Sequence, residues 1–202
     1  MRIVVEIGAN NGDDSAKLLS GADRLYVCEP DPTLFAGLVT RFADEPRVTL
    51  WPWAVDQVNA IRTFNIMEHE RGINSLYPLH SNLLNTPLQK HWQYQRGMTN
   101  QITVHTIPLA TLLELYNIPH IDFLWIDAQG NDLNVLRSLG DRISDVREGR
   151  CEVTYKVPIY QGVDNSYESV TKFLESKGFD HTIDYVHQDE SEVDVRFFRR
   201  EE

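Results

Sequence analysis

An apolar run that stops at a glycine-rich turn constrains this chain more than any other feature of its sequence. Residues 4–12 read VVEIGANNG, which predicts a strand over residues 2–7, a tight loop containing Gly8 and Gly12, and a helix over about 13–19. Glycine permits positive φ and close approach of the main chain to a ligand, and a helix N-terminus offers unpaired N–H groups. The pattern therefore predicts a ligand site in an α/β fold, although such turns also occur in α/β proteins without a ligand.

Two further strand ends carry acidic residues. A second apolar run ends at Glu29 in YVCEPD, and a third, residues 121–126, breaks at Asp127 before a predicted helix. In an open parallel sheet, ligands bind outside the carboxyl ends of the strands, near the point where the strand order reverses. We therefore expect Glu6, Gly8, Glu29 and Asp127 to converge on one crevice, where Glu29 accepts hydrogen bonds from two vicinal ribose hydroxyls.

The loop sequence distinguishes between two cofactors. Dinucleotide-binding loops read GxGxxG so that a pyrophosphate can lie against the backbone, whereas Asn10 and Asn11 crowd that position here. A cofactor without phosphates and with an amino acid end fits this loop better, which indicates S-adenosylmethionine. We expect Glu6, Gly8, Asn10 and Asn11, with Gly12 in the same loop, around its methionine end. An NAD-dependent oxidoreductase remains the less favoured alternative.

Residues next to two predicted strand ends complete the expected cofactor site. The backbone of Ala54 is expected beside the adenine, because WAVD follows the third predicted strand directly. Trp53 is expected as a wall of the adenine pocket, although a core position would explain this tryptophan equally well. Pro30, which follows Glu29, belongs to the same expected site.

Alternating strand and helix patterns predict the fold class. The chain is expected to be an α/β protein with a doubly wound, Rossmann-like sheet that is mostly parallel. Two alternating segments about a polar HQDES turn, Phe179–Val186 and Val193–Arg199, predict a C-terminal antiparallel β-hairpin. The other expected strands cover residues 2–7, 24–29, 47–51, 121–126 and 147–153, and the expected helices cover residues 13–19, 31–43, 131–138 and 165–177.

Length and composition predict one domain over residues 1–202, since 202 residues of which 42% are hydrophobic can build one sizeable core. Residues 62–66 and 102–107 are expected as short edge strands around an inserted segment, about 67–101. Aromatic side chains in that segment could stack on an acceptor and exclude water, although an ordinary surface excursion would show the same pattern.

The charge and hydropathy of the chain indicate which kinds of partner it is expected to bind. The formal net charge is −11, so a nucleic acid would be repelled unless a basic patch overcame it. Arg196, Arg199 and Arg200 lie in an alternating strand and indicate a solvated face instead. We find no 18-residue apolar stretch and no basic-then-apolar leader, so we expect a soluble, cytoplasmic protein without membrane association. Cys28 and Cys151 are expected as two buried, unpaired thiols. A homo-oligomer is possible.

Four segments taken together resemble the FkbM-type S-adenosylmethionine-dependent methyltransferases: VVEIGANNG, YVCEPD, GINSL at residues 72–76 and IDFLWIDAQGNDL at residues 121–133. The resemblance covers most of the chain. It implies a class I methyltransferase fold and a small-molecule acceptor, usually a hydroxyl of a sugar or secondary metabolite. It also implies that Ser75, in the GINSL segment, faces the cofactor or the acceptor.

The chain departs from this family at named positions. The family's third block usually reads KIDVEGAE, and this chain has Trp125 for the lysine and Gln129 and Asp132 for the two glutamates. The family often carries an aspartate after an upstream threonine-leucine pair, where residues 106–113 offer Ala110. These departures keep open a noncatalytic S-adenosylmethionine-binding or scaffold protein.

Asp127 is the first candidate for catalysis. Methyl transfer is an in-line displacement, so the protein mainly positions the acceptor and, for a hydroxyl, helps to remove its proton. Asp127 could act as the base, ligate a divalent cation, or orient the amino group of the cofactor. Asp132 and Glu152 could complete an oxygen-ligand set for a magnesium-type ion, although a helix-start charge and a strand-end residue are the favoured explanation of these two acids. No metal ligand is assigned, and no histidine is fixed as a base.

Overall fold

The computed structural model describes residues 1–67, 71–80, 99–187 and 190–200. Within them, ten strands and five α-helices alternate as a doubly wound fold, which confirms the predicted fold class. The expected inserted segment, about 67–101, lies largely outside the described residues. The strands are β1 Ile3–Ile7, β2 Arg24–Cys28, β3 Val48–Trp51, β4 Ala54–Val55, β5 Ala60–Met67, β6 Thr99–Ile107, β7 Ile121–Ile126, β8 Val146–Thr154, β9 Phe179–Val186 and β10 Glu192–Arg199, and the helices are α1 Asp13–Leu19, α2 Pro32–Arg41, α3 Leu109–Leu115, α4 Asp132–Arg137 and α5 Tyr167–Ser176.

The main sheet has seven strands in the order β3-β2-β1-β7-β8-β10-β9. Strands β3, β2, β1, β7 and β8 pair in parallel, and β10 runs antiparallel to both of its neighbours. The strand order reverses between β1 and β7, because β2 and β3 extend the sheet to one side and β7 and β8 extend it to the other. A crevice therefore opens at the carboxyl ends of β1 and β7, where ligands bind in sheets of this type.

Alternate residues of the strands face two different helix layers. Ile3 and Val5 of β1 belong to a core that includes Leu112 of α3 and Leu174 of α5. Val4, between them, packs instead in a cluster with buried residues of β2 and α2. Both faces of β1 are thus covered, which explains why the strand is a continuous apolar run interrupted only by Glu6.

The terminal hairpin brings additional residues to the ligand edge of the sheet. Strands β9 and β10 form the predicted antiparallel pair. Since β10 is also antiparallel to β8, the end of β9 and the start of β10 lie at the same edge as the carboxyl ends of β7 and β8. His187, just after β9, and Asp194, near the start of β10, are placed there.

The prediction of two short edge strands holds only in part, because β5 lies at the edge of its sheet whereas β6 is the central strand. Strands β5 and β6 are eight and nine residues long and form a separate three-stranded sheet in the order β4-β6-β5. His105, expected in an edge strand, lies in the central strand of this sheet. Periodicity identified the strands, but it carries no information about which sheet a strand joins.

Two smaller expectations concern thiols and helices. Cys28 and Cys151 are buried and unpaired, as predicted. None of the helices among the described residues is long and apolar enough to cross a membrane. Helix α2 begins as expected at Pro32, because Asp31 caps it by accepting a hydrogen bond from the backbone N–H of Thr33 at 2.8 Å.

Candidate active site

A cavity opens at the crevice between the carboxyl ends of β1, β2 and β7. The empty space in this crevice, which is open to solvent, is about 560 Å³. One side is apolar, with Trp53, Val55, Phe64 and Leu76, and the other carries carboxylate and amide groups. We call it the first cavity. The predicted site residues that line it are Gly8, Asn10, Glu29, Pro30, Trp53, Ala54 and Asp127, together with Ile7, Cys28, Val55, Phe64, Arg71, Gly72, Asn74, Leu76, Ala128, Gln129 and Asn131.

Gly8 allows the loops at the end of this cavity to meet. Its backbone has φ of +89°, and a Cβ atom there would lie 1.8 Å from the carbonyl oxygen of Asp127. The backbone N–H groups of Gly8 and Ala9 both donate to the carbonyl of Cys28 at 3.0 Å, and Asp127 N–H donates to the carbonyl of Ile7 at 2.9 Å. The three strand ends are therefore joined by main-chain contacts that only glycine permits at position 8.

Glu29 lines the first cavity, and backbone N–H groups of neighbouring residues fix the position of its carboxylate. One oxygen accepts a hydrogen bond from Asn10 N–H at 2.8 Å, and the other accepts one from Asp31 N–H at 2.7 Å. Burial raises the pKa of Glu29 to about 7, against the lowering effect of these two hydrogen bonds. Each oxygen keeps lone-pair capacity for a further donor, so the fixed carboxylate can still accept two neighbouring hydroxyls.

The structure does not bring Glu6 into the crevice with Gly8, Glu29 and Asp127. Its side chain is buried beneath the loop and accepts a hydrogen bond from Ser15 Oγ at 2.5 Å. Burial raises the pKa of Glu6 to about 7. Glu6 therefore joins β1 to helix α1 and does not line the first cavity.

Three other predicted site residues also lie outside the cavity lining. Asn11 is exposed and accepts a hydrogen bond from Asp13 N–H at 3.0 Å, at the start of α1. Gly12 is buried against the side chain of Leu38. Ser75 is buried and donates from Oγ to the carbonyl of Gln129 at 2.7 Å. These residues shape the walls behind the cavity.

Arg71 and Asn74 line the first cavity, but the sequence analysis did not predict them as site residues. Asn74 donates to Oδ2 of Asp31 at 3.0 Å, and Arg71 donates to the same oxygen at 2.6 Å. Asn74 also accepts a hydrogen bond from Met67 N–H at 2.8 Å. The GINSL segment includes Asn74, so its neighbourhood was marked, but the pairing with the cap of α2 has no local sequence signal.

A second cavity lies beyond Asp127, between α1, the sheet and the terminal hairpin. Its open volume is about 1060 Å³. Trp125 contributes to its lining, and the guanidinium of Arg150 lies 4.7 Å from the centre of the Trp125 ring. Asp127 lines both cavities. The remaining lining residues of the second cavity are Asp14, Lys17, Leu18, Ile126, Arg150, Glu152, Tyr185, His187 and Asp194.

Gln129 forms hydrogen bonds with two acidic side chains, Asp127 and Glu152, where the two cavities meet. Its Nε2 donates to Asp127 at 2.5 Å and to Glu152 at 2.8 Å, and its Oε1 accepts from the hydroxyl of Tyr160 at 2.6 Å. Burial, together with the nearby charges of Glu152 and Asp132, raises the pKa of Asp127 well above its usual range. Burial and these charges therefore favour the protonated form of Asp127, and a positive group beside it would favour the carboxylate.

The expected oxygen-ligand set of Asp127, Asp132 and Glu152 is not the group of donors that comes together. Asp132 is fully buried and receives a hydrogen bond from Asn165 at 3.3 Å. Among the described residues, the metal-ligating atoms that converge belong to Glu152, His187 and Asp194, which lie within 4.8 Å of one another. The carboxylates of Asp194 and Glu152 raise the pKa of His187 to about 11, so this imidazole is no general base in that state.

A comparison of the sequence with models of protein families identifies the family of the chain. A model of the methyltransferase FkbM domain matches residues 6–181, which include the strand ends that form the two cavities except the end of β9 and the start of β10. The chain belongs to the FkbM methyltransferase family. The predicted family is therefore confirmed. Among proteins of curated function, no sequence relative matches the chain.

Solved structures agree with this FkbM fold. The methyltransferase FkbM from Methylobacillus flagellatus KT superposes with a TM-score of 0.63 and 13% identity, over 98% of this chain and 43% of the relative. A protein from Streptococcus mutans, crystallised in complex with SAH, gives 0.54 and 10% over 99% of this chain and 89% of that chain. An rRNA methylase from Streptococcus thermophilus gives 0.53 and 11% over 99% and 87%. This chain spans less than half of the FkbM relative, and identities this low show the fold alone.

Proposed function

We propose that this FkbM domain binds S-adenosylmethionine in the first cavity and methylates a hydroxyl of a small molecule, a sugar or a secondary metabolite, that enters the second cavity. The observation that carries the proposal is the position of Asp127, which lines both cavities. A group between two cavities can contact the donor from one side and the acceptor from the other, as an in-line displacement requires.

The residues of the first cavity fit S-adenosylmethionine. The Glu29 carboxylate suits vicinal ribose hydroxyls, and the apolar wall of Trp53, Ala54 and Val55 suits a flat adenine. Asn10 lines the loop end of the same cavity, where the methionine end is expected. The close approach of Gly8 to Asp127 leaves the backbone exposed to the cofactor at the point where the strand order reverses.

Asp127 is the residue to which we assign the central role. When bound, S-adenosylmethionine supplies an activated methyl group and a positive charge. A cationic group of the bound donor beside Asp127 would favour the ionised carboxylate, with the proton released to solvent. Ionised Asp127 then orients the donor or accepts a hydrogen bond from the acceptor hydroxyl, while Gln129 fixes its side chain.

The second cavity suits a small polar acceptor. Its lining carries both signs of charge, from Arg150 and Lys17 and from Glu152 and Asp194, and it adds the aromatic ring of Tyr185. Hydroxyl-rich molecules are bound by such mixed polar and aromatic walls. A net charge of −11 disfavours a nucleic acid as acceptor. We propose residues 1–202 as one methyltransferase domain. The described part of the segment at about 67–101 lines the first cavity through Arg71, Gly72, Asn74 and Leu76, so we place this part on the cofactor side.

Calorimetric titration tests cofactor binding. Purified protein is titrated with S-adenosylmethionine, S-adenosylhomocysteine and NAD, and saturable binding is expected for the first two only. Glu29→Ala should weaken binding by about ten- to a hundredfold, because it removes charge-assisted hydrogen bonds to the ribose. Glu6→Gln is the matched control, since Glu6 is a buried glutamate on the neighbouring strand that does not line the cavity. Binding of NAD alone, or equal loss in both variants, would overturn the cofactor assignment.

Methyl transfer tests the reaction. Incorporation of label from S-adenosylmethionine carrying a labelled methyl group is measured with panels of glycosides, hydroxylated aromatic metabolites, amines and RNA. Incorporation into a hydroxyl of a small molecule is expected. Cofactor binding without incorporation into any panel would favour the noncatalytic alternative, and incorporation into RNA alone would contradict the assigned acceptor class.

A further inference from the structure

Three donor groups of the second cavity converge on one point. Nε2 of His187 lies 3.2 Å from Oε1 of Glu152 and 3.8 Å from Oδ1 of Asp194. Donor atoms that share a metal ion at roughly 2.1 Å are about 3 to 3.5 Å apart, so these separations are close to those of a coordination sphere. We propose that Glu152, His187 and Asp194 form a binding site for a first-row divalent cation.

The surroundings of the His187 Nε2 atom support this site. Nε2 of His187 is buried and faces two carboxylates at ion-pair distance, although neither contact has the geometry of a hydrogen bond. A divalent cation in place of the imidazole proton would keep both carboxylates paired with a positive charge and would give the nitrogen a bonded partner. The ion displaces the imidazole proton to solvent when it binds.

Neighbouring side chains fix two of the three ligands from outside. Gln129 donates to Oε2 of Glu152 at 2.8 Å, which leaves Oε1 facing His187. Arg150 contacts Oδ2 of Asp194, which leaves Oδ1 facing the same point. Such supporting contacts orient ligands in metal sites. The open second cavity supplies a path for the ion.

The ligand types select the ion. One imidazole nitrogen with two carboxylate oxygens suits Mn²⁺ or Zn²⁺, whereas Mg²⁺ and Ca²⁺ prefer oxygen ligands only. Three protein ligands leave coordination positions open, as in catalytic zinc sites. If the proposed methyl transfer holds, an ion here would lower the pKa of an acceptor hydroxyl in the second cavity. This role rests on the proposed function, but the binding site does not.

Metal titration alone tests the site. The full chain is treated with EDTA, dialysed, and titrated with Mn²⁺ followed by electron paramagnetic resonance and with Zn²⁺ followed by calorimetry, without cofactor or acceptor. One equivalent per chain is expected to bind. His187→Gln and Glu152→Gln should each weaken binding about tenfold or more. His181→Gln is the control, since His181 contacts only one carboxylate, Glu175 at 3.0 Å, in the ion pairs of the described residues.

The outcomes separate this inference from the proposed function. Absence of binding to the unsubstituted chain, or equal weakening by the substitution of His181, would overturn the metal site. Binding that depends on His187 and Glu152 supports it. If this result accompanies a failure to bind S-adenosylmethionine, the site stands and its role in methyl transfer falls.

Discussion

The two cavities that meet at Asp127 are built in different ways. The first is formed by loops that follow β1, β2 and β7 directly, and main-chain contacts at Gly8 hold these loops together. The second combines side chains of α1, β7, β8 and the terminal hairpin, and ion pairs of Arg150 and His187 organise it. Backbone geometry therefore defines the cofactor side, whereas side-chain charge defines the acceptor side, which leaves the acceptor side easier to change by substitution.

The largest effect is expected at the backbone contact of the first cavity. In Gly8→Ala, the new Cβ meets the Asp127 carbonyl at 1.8 Å and φ of +89° is strained. We expect a loss of more than about 3 kcal/mol in the free energy of unfolding, measured by urea denaturation. Gly162→Ala is the control, because Gly162 has φ of +76° but open space around it, so only backbone strain of about 1–2 kcal/mol is expected. Equal losses would show that the contact at Asp127 contributes nothing.

The next effect is expected at Glu6, the buried glutamate that does not line the first cavity. Burial raises the pKa of Glu6 from 4.5 to about 7, so the folded state binds more protons than the unfolded state between these values. The stability associated with this proton is present below pH 4.5 and is lost as the pH rises through 7. Glu6→Gln removes this loss and should raise the free energy of unfolding by about 3 kcal/mol at pH 8.

Urea denaturation at pH 4 and pH 8 measures this change. Little difference from the unsubstituted protein is expected at pH 4, where Glu6 is protonated in both states. The neutral amide keeps an oxygen that accepts from Ser15, so the contact to α1 is retained. A variant that is less stable at pH 8 would show that ionised Glu6 stabilises the fold.

The contrast between the cavities also explains what could be predicted from the sequence. A glycine loop or an acid directly after an apolar run can be placed at the carboxyl edge of a parallel sheet, so Gly8, Glu29 and Asp127 were expected together. Glu6 was expected with them, but side chains alternate along a strand and this one faces Ser15. Local pattern does not tell which side of the sheet is open at the crevice.

The second cavity was harder to foresee because it depends on topology. His187 and Asp194 reach the ligand edge only because β10 is inserted antiparallel between β8 and β9. The predicted hairpin contained both residues, and its orientation in the sheet was the missing information. Gln129 was noticed as a departure from the family, but its φ of +48° and its bridge between Asp127 and Glu152 required the structure.

A smaller effect is expected where the cavities meet. Asp127→Asn keeps the size of the side chain and an oxygen that can still accept from Gln129, so little change in stability is expected. It cannot ionise next to a cationic donor, so the affinity for S-adenosylmethionine at pH 7 should fall about tenfold by calorimetry. Asp132→Asn is the control, because Asp132 is a fully buried acid of the same segment that lines neither cavity. Equal affinities in the two variants would remove Asp127 from the cofactor site.

The smallest effect on cofactor binding is expected from Tyr185, which lines the second cavity alone. Its ring is 49% exposed, so Tyr185→Ala should change the free energy of unfolding little. We expect an unchanged affinity for S-adenosylmethionine and a rise in the KM of the acceptor of about tenfold or less, since one stacking wall is lost. Ile183→Ala is the control, because Ile183 is 41% exposed on the same strand and does not line the cavity. Of the two side chains removed, only that of Tyr185 lines the second cavity. A KM that rises equally in both variants would therefore place the acceptor elsewhere. A rise confined to Tyr185→Ala would separate acceptor binding from the cofactor cavity.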